Sequence, residues 1–397
     1  KIELATSTDL PPMEKSVDLK KIVMKHWKLW SFISIGLLIV ACSKDNGNEN
    51  LPPANNNFDR GAMLLNWADN IIVPAYTSFK TEAENLNTAA TVFANEPTEA
   101  NLQDLRASWA ASYIAFQKVS MFEIGKAEEV RYRNRLNIYP SDTQRIENFV
   151  ATGSYDLALP STMDVQGFPA IDYLINGLGA TDTEIVSFYT TNGNALGYKN
   201  YLGTLTETIL QLTTTVLDDW NANFRDVFVA NTSSSATGSV DKLTNDYIFY
   251  FEKSLRAGKV GIPAGVFSQQ PLPQNVEARY KKDFSKQLLL TAVKASQDFF
   301  NGKYFNNNAT GESFNTYLNF LNSIKNGEDL SSLINAQFNA AETQANELNN
   351  NFALQIETDN TKMLSTYDEL QRNVILLKVD MLQALSINVD YVDADGD

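Results

Sequence analysis

The stretch GFPAIDYLING, residues 167–177, combines a turn-forming start with an acidic side chain at the opening of an apolar run. Proline is tolerated in the first turn of a helix, because its missing N–H group would have no partner there. We therefore expect Gly167 and Pro169 to form a turn into a buried helix that carries Asp172. A carboxylate in that place can bind a hard cation through its oxygens or can cap backbone N–H groups.

Two further stretches are rich enough in glycine and proline for sharp turns or close backbone contacts: LNIYPSD, residues 136–142, and LRAGKVGIPAGVF, residues 255–267. The oxygen-bearing candidates in or beside the three stretches are Glu123, Tyr139, Asp142 and Asp172. Such side chains suit an oxygen-coordinated cation, with iron or calcium as the options. The alternative is that these carboxylates are solvated or cap helices, and that the stretches only connect helices.

Buried carboxylates are costly without a basic residue, a cation or water beside them. Arg256 and Lys259, in the third stretch, are the basic candidates. If Asp172, Asp142 and Tyr139 converge near them, they form a polar pocket in an otherwise apolar helical protein.

The histidine and cysteine content excludes several kinds of catalytic site. His26 is the only histidine and Cys42 the only cysteine, and both lie at or before the predicted start of the mature chain. Zinc sites built on histidine and triads that need histidine are thereby excluded. Ser239 and Lys242 have the spacing of a serine–lysine dyad, but a serine after Gly238 at a helix start indicates a capping position.

Helical periodicity dominates the chain from Phe58 onward, whereas alternating strand-like runs are scarce. Apolar residues recur three and four positions apart in three stripes: Leu64, Trp67, Ile71, Ala75 and Phe79; Leu102, Leu105, Trp109, Tyr113 and Phe116; and Tyr367, Leu370, Val374, Leu377, Met381 and Leu385. We predict an all-α protein of packed helical bundles, in which Pro74 kinks or breaks the first helix.

Residues 1–41 are predicted to be an upstream segment followed by a lipoprotein signal peptide. From Met24 a basic start precedes an apolar run that is shorter than the roughly 20 residues of a membrane-spanning helix. Ile39–Cys42 resembles a bacterial lipobox, so Cys42 is the predicted lipidation site. Ser43 in place of an aspartate favours the outer membrane, and residues 42–57 read as a flexible tether.

The acidic balance argues against a nucleic-acid partner. The 397 residues carry a formal net charge of −15, whereas binding to phosphates requires a basic face. The short basic run at residues 131–135 is interpreted as a solvated turn.

The length of the whole chain gives room for about two domains of roughly 150 residues.

Across nearly the whole mature chain, the order of motifs resembles the imelysin-like family of secreted, all-helical bacterial proteins. The matching segments are NIIVPAY, LRASW, NIYPSD, RAGKVGIPAGVF and LLKVDMLQAL. The family's hallmark, G-x-H-x-x-E before an apolar run, corresponds to residues 167–172. The resemblance implies two four-helix-bundle-like domains related by duplication, here residues 58–194 and 195–397, with the hallmark near their junction.

This sequence departs from the hallmark at both of its chemical positions. Pro169 replaces the histidine and has no lone pair for a metal, while Asp172 keeps the charge of the glutamate on a shorter side chain. The turn is retained and the histidine ligand is lost.

The resemblance implies either a metallopeptidase or a component of iron uptake. We predict a non-catalytic binding lipoprotein of iron or haem uptake, attached to the membrane through its lipid and working with other uptake components. The alternatives are an imelysin-type metallopeptidase and a surface lipoprotein that binds a protein or glycan partner.

Overall fold

Helices make up almost all of the regular structure in residues 57–391, the part of the chain that the computed structural model describes. The predicted signal peptide, lipidation site and nearly all of the tether lie outside these residues. In chain order the α-helices are α1 (Arg60–Leu65), α2 (Val73–Asn95), α3 (Glu99–Gln117), α4 (Lys126–Glu129), α5 (Tyr132–Leu136), α6 (Thr143–Thr152), α7 (Gly167–Asp172), α8 (Asp182–Thr190), α9 (Ala195–Asp219), α10 (Arg225–Ala230), α11 (Ser239–Phe249), α12 (Ile262–Ala264), α13 (Ser285–Phe300), α14 (Phe314–Phe320), α15 (Leu330–Asn346), α16 (Phe352–Asp359), α17 (Thr361–Ile375) and α18 (Leu382–Leu385).

Wider π-helical turns join or extend several of these helices: π1 (Asn66–Ile72), π2 (Tyr173–Gly177), π3 (Trp220–Phe224), π4 (Tyr250–Gly261) and π5 (Leu376–Met381). Short 3₁₀ turns span Pro160–Val165 and Pro273–Asn275, and a small antiparallel hairpin pairs β1 (Ile324–Lys325) with β2 (Glu328–Asp329). The prediction of an all-α protein is confirmed.

The core is built from the predicted apolar stripes. Every residue of the first two stripes is buried, and so are the third-stripe residues from Leu370 to Leu385, while Tyr367 packs against the core from its edge. Helix α2 packs against α3 and α9, and α15 packs against α13 and α17. Burying these stripes supplies the main stabilisation of the fold, since each large apolar side chain contributes about 1.5–3 kcal/mol when removed from water.

Pro74 produces a wide helical turn rather than an end of the helix. It lies in the first turn of α2, directly after π1. A proline has no N–H group to donate to the carbonyl of the residue four positions earlier, which here is Asn70. The backbone N–H of Phe305 donates to the Asn70 carbonyl instead, at 2.8 Å. The Asn70 carbonyl, which lacks an N–H partner at Pro74, therefore binds a loop that is distant in the chain.

Helix α9 follows the predicted domain boundary at residue 195 but packs against α2, α6, α7 and α8, which all precede it. The residues that the structure describes cluster as one compact unit. The division at residue 195 and the internal duplication stay predictions. No helix among residues 57–391 combines the length and the apolar character that crossing a membrane requires.

Candidate functional site

The hallmark segment begins at Gly167, where the backbone leaves no room for a side chain. Its φ of +73° lies in the left-handed region, and a Cβ there would be 2.2 Å from the carbonyl oxygen of Leu136. Leu136 ends α5 and opens the LNIYPSD stretch. Glycine at this position thus lets two of the three predicted stretches touch through their backbones.

Pro169 lies in the first turn of α7, as predicted, and is buried together with the other residues of that helix. The neighbouring Phe168 stacks on Tyr113 with ring centres 4.4 Å apart, and its carbonyl accepts a hydrogen bond from Trp109 Nε1 at 3.2 Å. The proline ring therefore serves packing in the position where the hallmark places a ligand.

Asp172 joins α7 to a loop more than a hundred residues further along the chain. Its Oδ2 accepts the backbone N–H of Tyr280 at 2.8 Å, and its Oδ1 accepts the backbone N–H of Lys281 at 2.9 Å and Asn176 Nδ2 at 3.0 Å. Burial raises the pKa of Asp172 to about 6, although the three hydrogen bonds act to lower it. Both oxygens of this carboxylate are occupied by N–H donors.

The loop that Asp172 holds also carries Glu277, the acidic half of a buried ion pair. Glu277 is 1% exposed and pairs with Lys259, which is 3% exposed. Its Oε1 also accepts Asn137 Nδ2 at 2.8 Å and Gln117 Nε2 at 3.3 Å. Burial lowers the pKa of Lys259, while the charge of Glu277 acts in the opposite direction. The pair is supported by neutral donors, as a buried charge requires.

Beside this pair is an opening of about 170 Å³, which we call the polar pocket. Its lining includes Gln117, Arg133, Asn137, Tyr139, Tyr250, Lys253, Gly258 and Lys259. The hydroxyl of Tyr139 lies 3.3 Å from the place where a Cβ on Gly258 would be. Burial raises the pKa of Tyr139 well above its ordinary value, so the side chain is a neutral phenol at physiological pH.

The structure brings two of the predicted site residues, Tyr139 and Lys259, into this pocket. Asp142 is engaged elsewhere: it is the N-cap of α6, and its Oδ1 accepts the backbone N–H of Arg145 at 3.1 Å. Arg256 is fully buried, with its guanidinium 5.2 Å from the ring centre of Tyr367 and bonded to Gln371. For Asp142, the capping alternative is the one that the structure supports.

Glu123 does not line the polar pocket but belongs to a buried cluster around Arg133, which does line it. The two Arg133 terminal nitrogens lie 3.2 Å from Glu123 Oε2 and 2.7 Å from Asp246 Oδ1. Burial raises the pKa values of Glu123 and Asp246, and the arginine charge opposes that shift. Arg133 is only 5% exposed, so the interpretation of the 131–135 run as a solvated turn is wrong for this residue.

The buried ion pair beside the polar pocket includes a residue that carries no sequence signal of its own. Asn137 lies in a predicted stretch, but nothing marks Glu277, because its partner Lys259 is eighteen positions away and its other partners lie much earlier in the chain. A local pattern cannot indicate a pair of this kind.

A comparison with known families gives one match over most of the chain: residues 72–376 match the family model described as Imelysin (Peptidase_M75). The chain belongs to the imelysin family. The resemblance seen in the sequence motifs is thereby confirmed.

Solved structures of imelysin-like proteins share the fold of this imelysin-family protein. An imelysin-like protein from Psychrobacter arcticum superposes with a TM-score of 0.63 at 15% identity, covering 84% of this chain and 97% of that one. A protein named, provisionally, as an iron-regulated protein A precursor from Parabacteroides distasonis gives a TM-score of 0.65 at 16% identity, covering 81% and 95%.

The iron-regulated protein A of Synechococcus elongatus is 26% identical over 88 residues, which make up 22% of this chain. The matched segment spans 25% of that relative's length.

The metal site that the family hallmark implies does not fit the side chains present here. Pro169 offers no ligand atom, and Asp172 already accepts three N–H groups. Among residues 57–391, no three histidine, cysteine, aspartate or glutamate side chains are grouped so that they could hold a metal ion. In this chain the hallmark acid instead positions the loop that carries Glu277.

Proposed function

We propose that this imelysin-family protein is a non-catalytic binding component of the cell envelope that takes part in iron uptake. The observation that carries the proposal is the bonding of Asp172, whose carboxylate fastens α7 to Tyr280 and Lys281. The hallmark thus acts as a structural support for a neighbouring pocket. The iron-regulated names of two relatives support the link with iron.

The charges around the polar pocket indicate what kind of ligand it would hold. Arg133, Lys253 and Lys259 contribute positive groups to its lining. Each of these groups has an acidic partner outside the lining: Glu123 and Asp246 for Arg133, Glu252 for Lys253, and Glu277 for Lys259. Amide and phenol side chains supply neutral hydrogen-bonding groups. The lining therefore offers hydrogen-bonding groups and no carboxylate, which suits a chelated metal better than a bare cation. We therefore propose that iron is bound as a small chelate.

Binding of radioactive ferric citrate, measured by equilibrium dialysis, tests this function. The protein would carry Cys42→Ala, so that no lipid interferes. We expect one ferric chelate per chain. Gly258→Leu should weaken binding at least about tenfold, because its side chain would enter the pocket beside Tyr139.

The matched control is Gly203→Leu, since Gly203 also lies in a helix but has no atom within 4 Å of the place a Cβ would occupy. This variant should bind like the unsubstituted chain. If the protein retains neither ferric citrate nor haemin, the proposal is refuted. Peptide cleavage that a chelator abolishes would instead favour the metallopeptidase alternative.

We also propose that Cys42 anchors the protein to the outer membrane, as the lipobox-like residues Ile39–Cys42 indicate. Cells expressing the protein would be labelled with radioactive palmitate, and we expect labelled wild type and no label on Cys42→Ala. Equal labelling of the two proteins would show that the cysteine carries no lipid.

A further inference from the structure

A second cleft lies between the end of α3, the outer face of α13 and the loop that follows α13. It has a volume of about 540 Å³ and shares no lining residue with the polar pocket. This volume is within the range of about 300–1,000 Å³ that small-molecule sites occupy. We call it the amphipathic cleft, because its floor and its rim differ sharply in character.

The floor of the amphipathic cleft is apolar. Met121 and Phe122 follow α3, Phe299 comes from α13, and Ile71 comes from π1. These four side chains are almost fully buried, so the apolar surface that a ligand can reach comes from the half-buried Leu290, Ala295 and Phe305 of the same lining. The floor is therefore held rigidly beneath the apolar surface that a ligand can reach.

The rim of the cleft is basic, in contrast with the acidic chain as a whole. Lys118, Lys294 and Lys303 line it together with a single acid, Asp298. Asp298 contacts Lys294 one helical turn away and lies 3.7 Å from Lys303 Nζ. Three lysines against one aspartate leave two net positive charges at the mouth of the cleft, whereas the chain carries −15.

The third wall of the cleft is the loop that follows α13, which backbone hydrogen bonds hold in place. The N–H of Phe305 donates at 2.8 Å to the Asn70 carbonyl, which has no N–H partner at Pro74. The N–H of Tyr304 donates to the Ala309 carbonyl at 2.8 Å. The ammonium of Lys118 lies 5.5 Å from the ring centre of Phe305, over its face. A lysine is thus held between an aromatic wall and the mouth of the cleft.

We propose that the amphipathic cleft binds a small organic carboxylate with an apolar body. The apolar part would lie on Leu290, Ala295 and Phe305, above the buried floor, and the carboxylate would meet the lysines at the rim. A cation is disfavoured by the two net positive charges, and a neutral apolar molecule would leave the lysines without a matching group. This binding does not depend on the iron-binding function proposed above.

Isothermal titration calorimetry with decanoate tests the proposal, using the chain with Cys42→Ala. Decanol and decyltrimethylammonium serve as the neutral and cationic probes of equal chain length. We expect decanoate to bind in the micromolar to low millimolar range, decanol at least about fivefold more weakly, and the cation without measurable heat.

Lys118→Gln combined with Lys303→Gln should weaken decanoate binding about tenfold and leave decanol binding unchanged. Lys294→Gln should weaken decanoate binding more than its matched control, Lys80→Gln. Lys80 forms the same kind of i,i+4 pair, with Glu84 on α2, as Lys294 forms with Asp298. Ala295→Phe would fill the cleft without changing its charge, and it should abolish binding of both probes.

Decanoate that does not bind at several millimolar, or that binds no better than decanol, would overturn the proposal. An equal loss of affinity in Lys80→Gln and Lys294→Gln would also overturn it, since the effect would then come from overall charge. The circular dichroism spectrum of each variant checks that it is folded.

Discussion

Gly167→Ala is expected to lower the free energy of unfolding by at least about 3 kcal/mol. A φ of +73° disfavours any residue with a Cβ, and here the Cβ would also lie 2.2 Å from Leu136 O and 2.8 Å from Arg135 O. Both obstacles are backbone atoms, which cannot rotate away as a side chain could. Urea denaturation followed by circular dichroism measures the change.

Gly153→Ala is the matched control for this substitution. Gly153 has a similar φ of +64° at the end of α6, but no atom lies within 4 Å of the place a Cβ would take. It should therefore lose only the cost of the left-handed conformation, about 1 kcal/mol. Similar losses in the two variants would mean that the contact between the hallmark turn and the end of α5 contributes nothing.

Lys259→Met should cost about 3–5 kcal/mol of stability, because it leaves the carboxylate of Glu277 buried without its charged partner. The methionine fills most of the space of the lysine, so the loss would come from the charge and not from a cavity. Adding Glu277→Met to this variant removes the uncompensated charge, and the double variant should recover a large part of the loss.

Lys80→Met provides the comparison with an exposed ion pair. The side chains of Lys80 and Glu84 are 29% and 47% exposed, so breaking their pair should cost less than about 1 kcal/mol. A Lys259→Met protein as stable as Lys80→Met, or a double variant no more stable than Lys259→Met, would contradict the assignment of Lys259 and Glu277 as a coupled buried pair.

The amino-acid sequence determined the helical fold and the loss of the hallmark ligand. The stripes at residues 64–79 and 102–116 are local patterns with the period of a helix, so the face that each helix buries can be read directly. The turn at Gly167 and Pro169 is equally local. Glycine extends, and proline restricts, the backbone conformations that are allowed at its own position.

The tertiary structure alone decided what the polar side chains do. Asp142 and Asp172 both follow glycine- or proline-rich turns, yet one caps its own helix while the other binds Tyr280 and Lys281 from a remote loop. Glu277 pairs with Lys259 beside the polar pocket through the same remote packing. A helix stripe is set by neighbours three or four residues away, but the partner of a buried charge is set by which distant segments pack together, and no local spacing encodes that choice.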